Sequence, residues 1–248
     1  MLPRTLIMLP AFNVGNLIGD VISLLPQNGT LVVDDGSQDN TFEVAEKLRY
    51  LAIRHPSNLG LSAAIRTGEQ YAINHGYTHI LLMDSDGQHP PELFDTFCSA
   101  LCTTDFVLGD RFSRLDCIPP QKVASNLFAS LLVKEVTGLF MRDVSCGYRG
   151  YRLTGRPADA TLGGFSEIYT QIVKFALAGV SPTRVFVPAI YGLGQPLATK
   201  HSELLALCMA LSQFSPNLPL LSHIADLANM KADIAVQVGG VPFRAYYV

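Results

Sequence analysis

The sequence predicts an α/β fold, a mostly parallel sheet flanked by helices in a single domain. Short apolar runs alternate with amphipathic stretches, as strands do with crossover helices. Each of the first four runs also ends in a polar loop. In such sheets ligands bind at the carboxyl ends of the strands. Composition agrees. Of 248 residues, 48% are hydrophobic and 16% charged, which suits a substantial core and not a disordered chain.

The elements follow in order. Leu6–Leu9 reads as the first buried strand and exits into PAFNVGN. Asn16–Leu25 reads as a helix. Leu31–Val33 is the second strand, exiting into DDGSQDNT, and Thr41–Leu48 is a helix. Leu51–Ile53 exits into HPSNLG and is followed by a helix over Leu61–His75. Ile80–Met83 exits into DSDGQHPPE, with a helix over Pro91–Leu101. Phe106–Leu108 is the fifth strand. After it the alternation changes. A loop, GDRFSRLDCIPP, leads to a helix over Gln121–Val136, with Val123, Leu127, Leu131 and Leu132 at helical spacing. DVSCGYRGYRL follows, then a helix near Glu167–Leu177 and a strand near Val185–Val187. One continuous domain over 1–200 is expected, with a helical tail over 201–248 packed on the domain or at a membrane interface.

Several classes are excluded. A net charge of −3 gives no basic field for nucleic acid. Cys98, Cys102, Cys117, Cys146 and Cys208 are odd in number and irregularly spaced, so neither a zinc site nor a disulfide framework is expected. The apolar stretch near the N-terminus is too short for a signal peptide. Leu204–Leu221 is interrupted by polar residues and prolines, which argues against a membrane span. A cytoplasmic protein is expected.

Asp84 and Asp86 stand one residue apart at the end of a buried strand, where two carboxylates repel each other and are costly to desolvate. An Asp-x-Asp pair suits Mg²⁺ or Mn²⁺, hard cations that take oxygen ligands and keep positions open for substrate phosphates. Gln88 could add a neutral oxygen. Alternatively the pair is a solvated turn ahead of the helix at Pro91. Asp34 and Asp35 have two readings as well: part of a helix-capping turn, or a carboxylate that accepts a hydrogen bond from a nucleobase. All four loops should open on one sheet edge.

The stretches LPAFNVGNL, VVDDGSQDNT, NLGLSAAIRTG, DSDGQHPPE, GDRF and DVSCGYRGYR occur in an order that resembles the family 2 glycosyltransferases of the GT-A fold. The dolichyl-phosphate mannosyltransferase-like branch is the nearest match. The resemblance covers Met8 to Arg152, and more loosely runs to Phe214. It implies a metal-dependent hexosyltransferase that inverts the anomeric carbon. Pro10, Ala11 and Asn13 would line the nucleobase pocket, with Asp34 or Asp35 bonding the base. Ser85 would join Asp84 and Asp86 at the nucleotide sugar, and Asp84, Asp86 and Gln88 would hold the metal. Asp86, Arg111 and Arg149 would be catalytic. Arg111, Lys122, Ser125 and Arg149 would meet an acceptor, such as a polyprenyl phosphate, with Asp143 closing that side.

The chain departs from the family pattern at Val14, where glutamate is usual, and at Asp110, where serine is common. Gln121 stands where an arginine is expected, beside Lys122. A glutamate of the later helix is replaced by Thr170, with Glu167 a turn earlier. GLGQPLATK is a worn form of another motif. A non-catalytic nucleotide-binding relative is therefore an alternative. A haloacid dehalogenase-type phosphatase with Asp84 as nucleophile is a more distant one. A homodimer is also expected, and the apolar stripe over His201–Phe214 has two readings: packing on the sheet or a second subunit, or a weak peripheral contact with a membrane interface.

Overall fold

The computed structural model describes residues 3–112, 118–153 and 166–190, together with Leu207, Cys208, Leu211 and Phe214. Of Gln121, Ser166 and Glu167 it describes the backbone alone. The expectations placed on the side chains of Gln121 and Glu167, on GLGQPLATK and on most of the 201–248 tail lie outside the described residues.

One seven-stranded sheet forms the centre: β1 (Thr5–Ala11), β2 (Thr30–Asp34), β3 (Leu51–Arg54), β4 (His79–Leu82), β5 (Phe106–Asp110), β6 (Arg149–Arg152) and β7 (Thr183–Phe186). Their spatial order is β3-β2-β1-β4-β6-β5-β7. The helices are α1 (Ile18–Ser23), α2 (Thr41–Lys47), α3 (Leu61–Asn74), α4 (Phe94–Leu101), α5 (Pro120–Thr137) and α6 (Ser166–Leu177). A short 3-10 turn, Pro91–Leu93, leads into α4.

The middle strands are buried throughout their lengths. This is why Leu31–Val33 and Ile80–Leu82 read as unbroken apolar runs and not as alternating ones. Helix α3 turns Ala64, Ile65, Gly68 and Ala72 inward. Its backbone lies so close to β1 that a Cβ at Gly68 would fall 2.6 Å from Met8 Cγ.

β6 is the element that hydrophobic patterning missed. RGYR carries two arginines, yet it pairs antiparallel with both β4 and β5, Leu82 and Leu108 each facing Arg149. Its reversed direction brings its N-terminal end to the sheet edge where β1, β2, β4 and β5 finish. A buried cluster beside it ties β6 to two helices. The Tyr151 hydroxyl donates to Glu69 of α3, and Gln171 Nε2 of α6 donates to the Tyr151 hydroxyl at 2.8 Å.

Two apolar patterns of the sequence find their surroundings in the fold. In α5, the helix expected over this stretch, Leu127 and Leu131 are 48% and 49% exposed. The helix instead buries Asn126, Ala129, Ser130, Leu132 and Val133, because the loop before β6 offers carbonyls and hydroxyls that need polar partners. Leu207 and Leu211 pack into the main core, so at these described positions the late apolar stripe faces protein and not a bilayer. No helix among the described residues is long and apolar enough to cross a membrane.

Candidate active site

The Asp84–His89 turn is built from four bonds. The Asp84 N–H donates to His89 Nδ1 at 3.0 Å. The Ser85 hydroxyl donates to the Pro10 carbonyl at 2.7 Å, tying the turn to β1. The Gln88 N–H donates to Asp86 Oδ1 at 3.0 Å. The Met83 N–H still reaches Met8 O at 3.1 Å, so β4 runs beside β1 up to the first aspartate. Gly87 takes the left-handed conformation, φ 79°, that the reversal requires. His89 is fully buried and stacks on Tyr148, which stacks on Phe97. Burial holds its imidazole below the usual range, in keeping with a neutral ring that accepts through Nδ1.

Asp84 and Asp86 are half-buried neighbours. Burial, and then the charge of Asp84, push the Asp86 carboxyl up to about 6. A hard divalent cation would relieve that repulsion, and the donor set fits one. No group of three His, Cys, Asp or Glu converges among the described residues. Two carboxylates, the Gln88 amide, diphosphate oxygens and water make up the mixed oxygen set that Mg²⁺ or Mn²⁺ takes.

A pH dependence follows. In folded protein without metal, Asp86 is protonated below about pH 6, whereas its ordinary range would have it ionised from about pH 4. Raising the pH through this window ionises a carboxyl that the fold disfavours. It therefore lowers the stability of the metal-free protein and raises metal affinity. Mn²⁺ titrated by electron paramagnetic resonance should bind about tenfold more weakly at pH 5 than at pH 7. Equal affinities at the two pH values would refute this account of Asp86.

The other loops lock together beside this turn. Asn13, with φ 53°, accepts from the Gln38 N–H at 2.9 Å and donates its own N–H to Ser37 Oγ at 2.9 Å. Ala11 O accepts the Asp35 N–H at 2.8 Å. Asp34 and Asp35 are 0% and 4% exposed. Asp35 accepts the Leu59 and Gly60 N–H groups at 2.9 and 2.7 Å and pairs with His55 Nδ1 at 2.7 Å. Asp34 accepts the Ser37 N–H at 3.1 Å. Its second oxygen lies 3.1 Å from Arg54 Nε, an ion pair not aligned as a hydrogen bond. The carboxylates expected to meet a base thus already hold the loops together. Val14, the residue in place of a family glutamate, packs into the core.

At the end of β5, Arg111 is fixed by Asp143. Its backbone N–H, Nε and Nη2 reach the carboxylate at 3.0, 2.8 and 2.9 Å. Nη2 also donates to Ser145 Oγ at 3.0 Å, and Ser145 donates to Asn126 of α5 at 3.1 Å. Asp110, where serine is common, holds Arg142 through Nε at 2.9 Å and Nη2 at 2.6 Å, so this departure carries its own counter-charge. Lys122 and Ser125 lie exposed on α5.

Arg149 differs from its expected role. It is 0% exposed. Its guanidinium donates to the carbonyls of Cys146 at 2.9 Å, Ile168 at 2.7 Å and Val144 at 3.4 Å. It fastens the loop before β6 to α6 and does not present a cation to solvent. Sequence reasoning passed over His89, Asn126 and Ser145. His89 and Ser145 stand within the motifs DSDGQHPPE and DVSCGYRGYR, which give them no role of their own. Asn126 stands in no motif, and only the folding of the loop before β6 shows what it meets.

A family model, Glycosyl transferase family 2, matches residues 6–160. The chain belongs to this family. Two relatives share similar identity with it. Polyprenol monophosphomannose synthase of Mycolicibacterium smegmatis is 30% identical over 163 residues, 60% of this chain and 62% of that one. Undecaprenyl-phosphate mannosyltransferase of Micrococcus luteus is 29% identical over 161 residues, 60% and 66%. The chain thus spans less than two thirds of the length of either. Among solved structures, glucosyl-3-phosphoglycerate synthase of Mycobacterium tuberculosis, in complex with Mn²⁺ and UDP-glucose, superimposes with a TM-score of 0.65. It is 19% identical, covering 84% of this chain and 79% of that one. This likeness establishes the GT-A fold, with β6 as the antiparallel member of the sheet.

Proposed function

We propose that this chain is an inverting glycosyltransferase that moves a sugar from a nucleotide-sugar donor onto the phosphate of a polyprenyl lipid. The observation that carries this reading is the pairing of two sites on one sheet edge. Asp84 and Asp86 close β4, and Arg111, preset by Asp143, follows β5. The names of the two relatives support a polyprenyl-phosphate acceptor. A divalent cation held by Asp84, Asp86 and Gln88 would supply Lewis-acid stabilisation for the departing nucleoside diphosphate.

The chain's own residues do the rest. Pro10, Ala11 and Asn13 line the base pocket, and Asp34 and Asp35 hold its walls. Arg111 faces the acceptor phosphate, with Lys122 and Ser125 on the adjoining helix. A phosphate oxygen forms the new bond to the anomeric carbon while the bond to the diphosphate breaks on the opposite face. An ionised phosphate needs no general base, so charge-assisted positioning by arginine suffices. The exposed side chains Leu127, Phe128 and Leu131 of α5 rest on the lipid surface that carries the acceptor, flanked by Lys122 and Lys134.

The test is transfer from labelled UDP- and GDP-hexoses to a polyprenyl phosphate, in detergent and in vesicles. Transfer should require Mg²⁺ or Mn²⁺ and stop with EDTA. Arg111→Ala should depress it far more than it depresses donor binding. Leu127→Glu with Leu131→Glu should depress transfer in vesicles and spare it in detergent. Transfer to a plain sugar hydroxyl with none to polyprenyl phosphate would overturn the acceptor assignment. Tight nucleotide binding without transfer of any sugar would favour a non-catalytic relative.

A further inference from the structure

We infer that Gly147, at the head of the antiparallel strand β6, sets the position of the Asp84 carboxylate and so acts as a positioning residue for the metal-bound donor. The inference deepens the proposed reading of Asp84 as a metal ligand and rests on it. Its geometric part stands by itself. A Cβ built on Gly147 would lie 2.6 Å from Asp84 Oδ1, 2.6 Å from Oδ2 and 2.9 Å from Cγ. Real Cβ atoms essentially never approach that closely. The bare Cα of Gly147 therefore forms the wall against which both carboxylate oxygens rest.

The backbone is held on both sides of the contact. On the Asp84 side, the backbone N–H is held by the fully buried His89 at 3.0 Å. The next residue, Ser85, is tied to Pro10 O at 2.7 Å. On the Gly147 side, the preceding Cys146 carbonyl accepts from Arg149 Nε and Nη2. The following Tyr148 carbonyl accepts the Gly109 N–H at 2.9 Å, and its ring is stacked between His89 and Phe97. The buried Arg149 thus stiffens the wall from behind. An added methyl group cannot push this loop away without breaking bonds to a buried guanidinium. The softer response is rotation of the Asp84 side chain out of its place, with its backbone still pinned. A carboxylate turned away from Asp86 no longer shares a cation with it.

The test is a double-substitution cycle with two readouts. The first is Mn²⁺ affinity by electron paramagnetic resonance, with and without UDP or GDP. Gly147→Ala should weaken Mn²⁺ about 10–100-fold, the range seen when a group that orients a metal ligand is altered. The second is urea unfolding of the metal-free protein. Gly147→Ala should lower the midpoint in the wild-type background. It should have little effect beside Asp84→Ala, where no carboxylate remains to clash. If Gly147→Ala alone fails to fold, the double variant should fold, because the clash has gone. Wild-type Mn²⁺ affinity in Gly147→Ala overturns the inference, as does an equal loss of stability in both backgrounds. If the wild-type protein itself binds no Mn²⁺, the metal reading of Asp84 fails, and the unfolding cycle still judges the contact.

Discussion

Asp86→Ala should abolish sugar transfer while leaving the fold intact. Asp86 is half-buried, and its carboxyl is disfavoured in the charged form by burial and by Asp84. Its main internal partner is the Gln88 N–H at 3.0 Å. Removing it relieves a repulsion and gives up one turn bond, so a thermal scan of the metal-free protein should move by only a few degrees. The functional cost is different in kind. Asp84 alone offers one carboxylate, and a cation held that weakly leaves the diphosphate facing an uncompensated negative charge. A loss of about 10³-fold or more in turnover is expected, comparable to removing a group that stabilises charge in a transition state. Turnover within tenfold of wild type would mean that Asp86 is no ligand and that the turn serves structure alone.

Asp35→Ala should produce the largest loss of stability among the site residues. Its carboxylate accepts two backbone N–H groups, from Leu59 and Gly60, and pairs with His55, whose far nitrogen meets Thr67 Oγ1 at 2.9 Å. These bonds hold the loop between β3 and α3 against the end of β2. Gly36 needs that loop in place. It sits at φ 73°, and a Cβ there would lie 2.4 Å from the Ser57 carbonyl carbon. Alanine takes the acceptor from the part-buried Leu59 N–H and from His55 Nδ1 and leaves the Gly60 N–H with Asn58 Oδ1 alone, at 3.1 Å, at a cost of about 2–4 kcal/mol in urea unfolding. Asp35→Asn, which keeps one acceptor oxygen, should recover part of that. A loss below about 1 kcal/mol, coupled to a large fall in nucleotide affinity, would instead make Asp35 a direct reader of the base.

Much of this was legible in the chain itself because the signals are local. Apolar runs such as Leu31–Val33 and Ile80–Met83 name buried parallel strands, since a strand covered on both faces has no polar side to alternate with. Helices α2 and α3 begin where their punctuation placed them, at Thr41 and Leu61, and the 3-10 turn that leads into α4 begins at Pro91. The Asp84–Asp86 pair, the aspartates after Val33 and the Arg111 loop all stand at strand ends, and a parallel sheet delivers such ends to one edge. From these the sequence by itself determined the α/β architecture, the edge that carries the site and the family.

What only the tertiary structure decided concerns β6 and the groups it brings in. RGYR has no apolar run to announce a strand. It is a strand because β4 and β5 leave a slot whose backbone groups need pairing, and the reversed direction of β6 then sets Gly147 against Asp84. Arg149 looked like a cation for a phosphate. Its place inside the fold turned it into an anchor for three carbonyls, because a buried guanidinium must spend its donors on whatever acceptors surround it. Asp35 stands in the sequence as a candidate reader of bases, and the fold gives its carboxylate the loop N–H groups of Leu59 and Gly60 and the His55 ring. Leu127 and Leu131 stand at helical spacing in the sequence and face outward in the fold, because the loop below α5 offers partners to the polar residues of the helix. In each case residue type was visible in the sequence. Partner identity was not, since it depends on segments tens of residues away that meet only when the sheet is assembled.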